Sequence, residues 1–126
     1  MSKSWLKEPQ AHDFPAAADY LELLLTTAEV KQAIANLEAA KTISKKAKDI
    51  FRASQLPLLP RENLHVKADL QKLKKGEKMS PILLVKHAGR LHIADGYHRL
   101  CAVYHYSEDE AVPCRLAAAD TSQQPG

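Results

Sequence analysis

The sequence predicts an α/β (α+β) domain: a small mixed β-sheet with an N-terminal helical extension. Apolar residues recur at helical spacing through the first half, first as Tyr20, Leu21, Leu24 and Leu25, then as Val30, Ile34 and Leu37. Ile82-Leu83-Leu84-Val85-Lys86 and Leu91-His92-Ile93-Ala94, separated by His87-Ala88-Gly89-Arg90, read as a β-hairpin. The second strand then runs through Asp95-Gly96 into a helical pattern with no linker between them.

The chain has 126 residues, 45% of them hydrophobic, which suits one domain with a modest core. Its 18 Lys and Arg against 15 Asp and Glu give a formal charge of +3. That charge admits an anionic ligand and falls short of a dedicated duplex-DNA binder. Cys101 and Cys114 are too far apart for a zinc ribbon or a Cys-x-x-Cys pair, and no signal-peptide pattern opens the chain. No apolar run approaches the roughly 20 residues of a membrane span. The expectation is a cytoplasmic protein with reduced thiols and no membrane partner.

Residues 1–12 read as an arm that docks through Trp5. Asp13-Phe14-Pro15 starts a helix, with Asp13 or a neighbour as cap and Pro15 in the first turn. Thr26 and Glu29 form a capping box for a second helix reaching about Ala40. Ser44 is read as the cap of a third helix from Lys45 to about Ser54, with Ala47, Ile50 and Phe51 inward. Lys41 to Arg52 carries five basic residues against Asp49, and Lys67 to Lys78 is a second basic cluster. Pro57 and Pro60 stop the helical part and leave Leu58-Leu59 as a short edge strand. A helix over Asn63 to Lys75 turns Leu70 and Leu73 inward, Ser107 to Glu110 is a solvated loop, and Val112 to Leu116 is a strand. The expected divisions are 1–55 for arm and helical extension, 56–116 for the α/β domain and 117–126 for a frayed tail.

The chemistry is expected at Asp95-Gly96-Tyr97-His98-Arg99. Asp95 would cap the helix, and Gly96 would clear the way to the backbone. The free amides of the first turn, the positive end of the helix dipole and the Arg99 guanidinium together favour an anion. His98 adds a titratable donor. Tyr97, Leu100, Cys101 and Tyr104 would form the helix's inner face. His92, Asp95 and His98 lack metal-ligand spacing, and no Walker loop, dinucleotide glycine pattern or Ser-His-Asp arrangement is present.

From Leu56 to about Leu116, the order of elements and the Gly96-Tyr97-His98-Arg99 turn resemble the ParB/sulfiredoxin-like family. In that family the Gly-x-x-Arg turn binds nucleotide phosphates. Tyr97 stands where sulfiredoxins have the reactive cysteine, which argues against sulfiredoxin chemistry, since a phenol forms no sulfur intermediate. The middle of the turn also departs from the partition proteins, and the residues after it are too few for their helix-turn-helix domain, so partition function is not expected.

The resemblance implies a nucleotide ligand, ATP, ADP or CTP with Mg²⁺, and phosphotransferase or hydrolase activity. Gly96, Tyr97, His98 and Arg99 would hold phosphate, His98 would act as acid, Asp95 would orient a nucleophile or Mg²⁺, and Glu62 would be the base. Two rival readings remain open. One is nucleic-acid binding or nuclease-like chemistry through the two basic clusters; the other is a non-catalytic homodimer joined through the N-terminal helices.

Overall fold

The structure is a computed structural model that describes residues 5–119. Its elements in chain order are α1 (Asp13–Leu21), α2 (Thr27–Ala39), β1 (Ile43–Lys46), α3 (Ala47–Ser54), α4 (Leu64–Lys75), β2 (Ile82–His87), β3 (Arg90–Asp95), α5 (Tyr97–Tyr106) and β4 (Ala111–Ala118). The four strands form one mixed sheet in the order β1-β4-β2-β3. Strand β4 runs parallel to β2 and antiparallel to β1, while β2 and β3 form the antiparallel hairpin. At the tip of that hairpin Ala88 (φ +51°) and Gly89 (φ +76°) both have positive φ, matching the twist a two-residue loop requires. The α+β class expected from the sequence is the class observed.

The sheet is covered on both faces. Ile82, Leu84 and Ile93 pack with Ile50, Val66, Leu70 and Leu100 from α3, α4 and α5, whereas Leu83, Val85 and Ala94 pack with Ala17, Leu21, Ala33 and Leu37 from α1 and α2. Residues 82–85 are therefore all buried, as a central strand between two layers must be. Trp5 docks as expected, pairing with Met79 in a short parallel bridge and lying almost fully buried. The α2 capping box forms as read, and Arg115 clamps the other end of that helix by donating to the carbonyls of Leu37 and Glu38. Near the start of the helix the Glu29 carboxylate lies 2.9 Å from His87 Nε2 of β2, so extension and sheet are held together at both ends of α2.

Several expectations change. Ile43 to Lys46 is an edge strand, so Ser44 faces Pro113 across a ladder instead of capping a helix. The third helix begins at Ala47, and its first amides, those of Ala47 and Lys48, donate to the carbonyls of Glu110 and Glu108. These carbonyls replace the side-chain cap and give the Ser107–Glu110 loop a structural task. Residues 43–54, expected in the extension, thereby supply a strand of the sheet and a helix on its face. Leu58-Leu59 forms no strand; Leu59 packs on the core and its carbonyl accepts from His105 Nε2 at 2.8 Å. Strand β4 continues to Ala118, and Ala119 is buried, so the tail expected from Ala117 begins later. Residues 1–4 of the arm and 120–126 of the tail lie outside the described residues.

Candidate functional site

The β3–α5 junction forms where expected, with different roles for its residues. Asp95 is the last residue of β3, paired with Leu83 beyond a register shift at Leu83/Leu84. The N-cap of α5 is Gly96, at φ +105°, and no side chain caps the helix. A Cβ on Gly96 would lie 2.4 Å from Ile82 Cγ2 and 2.9 Å from Arg99 Nη2. The space the missing side chain leaves is therefore filled from within, by Ile82 and Arg99, rather than kept open to the backbone. Positive φ and close packing both demand glycine here.

The Asp95 carboxylate accepts from Arg99 Nη2 at 2.7 Å, and Arg99 Nη1 donates to the Ser80 carbonyl at 2.6 Å. The Arg99 side chain is 15% exposed, and the expected free anion fork is in fact a bridging group. Two of its five N–H donors are engaged in this way, and the other three have no acceptor among the described residues. The first intrahelical bond of the turn runs from Leu100 N to Gly96 O at 2.9 Å. The preceding amides of Tyr97, His98 and Arg99 have no acceptor among the described residues.

Two clefts meet at this junction. One, of about 360 Å³, is bordered by Asp95, Gly96, Tyr97 and His98 together with Tyr20 and Leu56. The other, of about 330 Å³, is strongly charged, and Asp13, Asp69 and Asp95 face Lys72, Lys78 and Arg99 around it. Asp95 belongs to both. Asp13, 4% exposed, accepts from the Gln10 amide at 2.8 Å, and the Ser80 hydroxyl donates to Gln10 Oε1 at 2.7 Å. The N-terminal segment therefore forms a wall of the charged cleft.

Burial dominates the titration of this cluster. It raises the Asp95 carboxyl above its ordinary value, with Arg99 opposing and Asp13 adding to the rise. It likewise raises Asp69 against the pull of Lys72, Arg99, His98 and His65. The His98 imidazole is lowered, first by burial and then by the neighbouring His65, whose ring centroid is 4.9 Å away, with Asp69 opposing. His98 is thus held toward its neutral form. The Tyr97 phenol is raised by burial and donates to the Pro57 carbonyl, so it anchors the 56–60 loop.

Of the sequence-predicted residues, Asp95, Gly96, Tyr97, His98 and Arg99 come together, and Glu62 does not join them. Glu62 is exposed in the bend before α4 and has no hydrogen bond or ion pair among the described residues. The carboxylate that α4 brings to the turn is Asp69. Sequence reasoning missed Asp69, took His65 for a surface or capping residue and placed Lys72 only in the second basic cluster, although their i, i+4, i+7 spacing marks one polar face of a helix. That this face meets α5 is a tertiary fact. Within the basic clusters, Lys72 and Lys78 line the charged cleft, whereas Lys48 pairs with Asp109 at 2.7 Å.

Among the described residues no three His, Cys, Asp or Glu side chains form a metal site. No helix among them is long and apolar enough to cross a membrane. The chain matches no protein-family model, no curated protein and no solved structure. Nothing in these comparisons names a ParB/sulfiredoxin-like family.

Proposed function

We propose that this chain binds the phosphate of a nucleotide, or of another phosphorylated ligand, at the Asp95–Arg99 turn. One observation carries the reading: three helix-start amides without acceptors among the described residues lie beside a guanidinium that keeps three donors unused by those residues. Aligned amides at a helix start attract an anion through their hydrogens and through the helix dipole. The Asp95–Arg99 bridge holds the guanidinium in place, which lowers the ordering cost of binding. In this reading the cleft lined by Tyr20, Leu56 and Tyr97 receives the apolar or aromatic part of the ligand, and Mg²⁺ arrives with a nucleotide.

Phosphoryl transfer or hydrolysis extends the reading and requires a base. Asp69 replaces Glu62 in that role, because α4 carries it toward Arg99 and His98 and burial raises its basicity. Nucleic-acid binding has less support, since Asp109 already pairs Lys48 in the Lys41–Arg52 segment. A cytoplasmic location goes with the reading, as Cys101 and Cys114 are both unpaired and buried.

Thermal unfolding with ATP, ADP and CTP, each with and without Mg²⁺, tests the proposal. Ligand at 100-fold its Kd would add about 2.7 kcal/mol to the stability of the folded state. A rise in midpoint with at least one nucleotide, lost in Arg99→Ala measured against its own ligand-free midpoint, is the expected result. No rise with any of them overturns the nucleotide reading. Retention on DNA that is lost on reversing Lys45 and Lys46 but kept in Arg99→Ala would favour the nucleic-acid reading.

A further inference from the structure

The two edges of the sheet differ in cover. At one edge Ile93 and Ala94 of β3 are buried, whereas at the other all four residues of β1 are exposed. The pairing of β1 with β4 fixes which of its backbone groups point outward. Ala47 N donates to Glu110 O at 3.0 Å, so in the antiparallel register Lys46 and Ala111 form a non-hydrogen-bonded pair. Ladder bonds therefore join Lys45 to Val112 and Ile43 to Cys114, and the N–H and C=O groups of Ser44 and Lys46 face away from the sheet. None of these outward groups has a hydrogen-bond partner among the described residues. Side chains alternate along the same strand: Ile43, 40% exposed, shares one face with Lys45, and Ser44 shares the other with Lys46. Asp109 pairs with Lys48, but neither Lys45 nor Lys46 has a salt bridge among the described residues.

We propose that the outer edge of β1 takes up an extended acidic segment of another protein as an added strand. The backbone groups specify the partner's shape, and the lysines specify its charge. Outward N–H and C=O groups that recur at every second residue are matched by an extended chain, which returns an acceptor and a donor at the same spacing. A helical partner has already used its own backbone groups. Lysines on a short edge turn away basic strands, and a second β1 paired through Ser44 and Lys46 would set Lys45 against Lys45. The same interaction with its sign reversed favours an acidic strand. An apolar residue between the acidic ones would cover Ile43. Nucleic acid would meet the same lysines but has no regular row of donors for the outward carbonyls. The surface stands apart from phosphate binding, because no residue of β1 lines the two clefts at the Asp95–Arg99 turn.

Fluorescence anisotropy of the full chain with a labelled peptide of alternating glutamate and valine tests it. The comparison ligands are a lysine–valine peptide, a glutamate–proline peptide of equal acidic charge and a single-stranded oligonucleotide. The glutamate–valine peptide is expected to bind and the lysine–valine peptide to fail. The glutamate–proline peptide is expected to bind about tenfold more weakly, since proline lacks the backbone donor. Ser44→Pro removes an outward amide, leaves the charge unchanged and keeps the ladder to β4. It is expected to raise the Kd about tenfold, whereas Ser44→Ala leaves it unchanged. Lys45→Glu/Lys46→Glu is expected to abolish binding. Circular dichroism confirms that each variant is folded. Amide hydrogen exchange needs no variant: added glutamate–valine peptide should slow exchange at Ser44 and Lys46 and leave Ile43 and Lys45 as they were. The proposal is overturned if that peptide does not bind, if the glutamate–proline peptide or the oligonucleotide binds as tightly, or if exchange at Ser44 and Lys46 is unaltered.

Discussion

Helices α2 and α5 both begin at a turn, yet their first amides meet different fates. At α2, Thr26 Oγ1 accepts from the Glu29 amide at 3.2 Å while Glu29 Oε1 accepts from the Thr26 amide at 2.9 Å. That start is closed by its own sequence. At α5 the cap is a glycine with nothing to offer, and the carboxylate next to it has been drawn into the Arg99 pair. Three amides therefore have no acceptor among the described residues and stand beside a positive group. The same orphan donors that the chain silences locally at α2 are left for something else at α5. A side-chain cap and an anion site are alternative uses of one set of hydrogens.

The strongest way to break this contrast is Gly96→Ala. The added methyl collides with Ile82 and Arg99 at a φ unfavourable to any L side chain, so a loss of about 3 kcal/mol is expected. Calorimetry or chemical denaturation would show it, and a stable Gly96→Ala protein would disprove the packing described here. Arg99→Ala comes next. It leaves the largely buried Asp95 carboxylate, 20% exposed, without its partner and is expected to cost about 2 kcal/mol. Arg99→Ala/Asp95→Asn should recover part of that loss in denaturant titrations without recovering any ligand response.

Thr26→Ala sharpens the comparison from the other side. Losing the capping box should cost about 1 kcal/mol and leave the nucleotide-induced shift unchanged. The smallest effect concerns pH. Burial holds His98 and His92 below the ordinary 6.5, so the unfolded chain takes up their protons first. Their contribution to stability is complete above 6.5 and is lost as pH falls through the lowered values. The thermal midpoint should fall over that window, and His98→Asn should flatten the fall. Asp69 and Asp95, raised by burial, act in the opposite sense at lower pH.

The contrast between the two helix starts was only half legible beforehand. Thr26-Thr27-Ala28-Glu29 states its own structure, because both partners of the box lie within four residues. Asp95-Gly96 looks like an ordinary capping pair by the same local rule. The rule fails there because Asp95 is held in register with Leu83 and its carboxylate is claimed by Arg99. A similar local reading placed Ser44 at the start of a helix. The pairing of residues 43–46 with β4 overrode it.

What this sequence determined alone is whatever depends on neighbours along the chain: the capping box of α2, the hairpin turn at Ala88-Gly89, the buried run of β2 and the passage from β3 into α5. Hydrogen bonds and side-chain periodicity over a few residues carry that information. Tertiary structure alone decided that Asp69 rather than Glu62 reaches the turn, that Arg99 bridges Asp95 and Ser80, and that Asp13 walls the charged cleft. Each of those contacts joins segments distant in sequence or ranks one partner above another. Only the packing of helices against a common sheet settles such choices, because burial sets which charges must find each other.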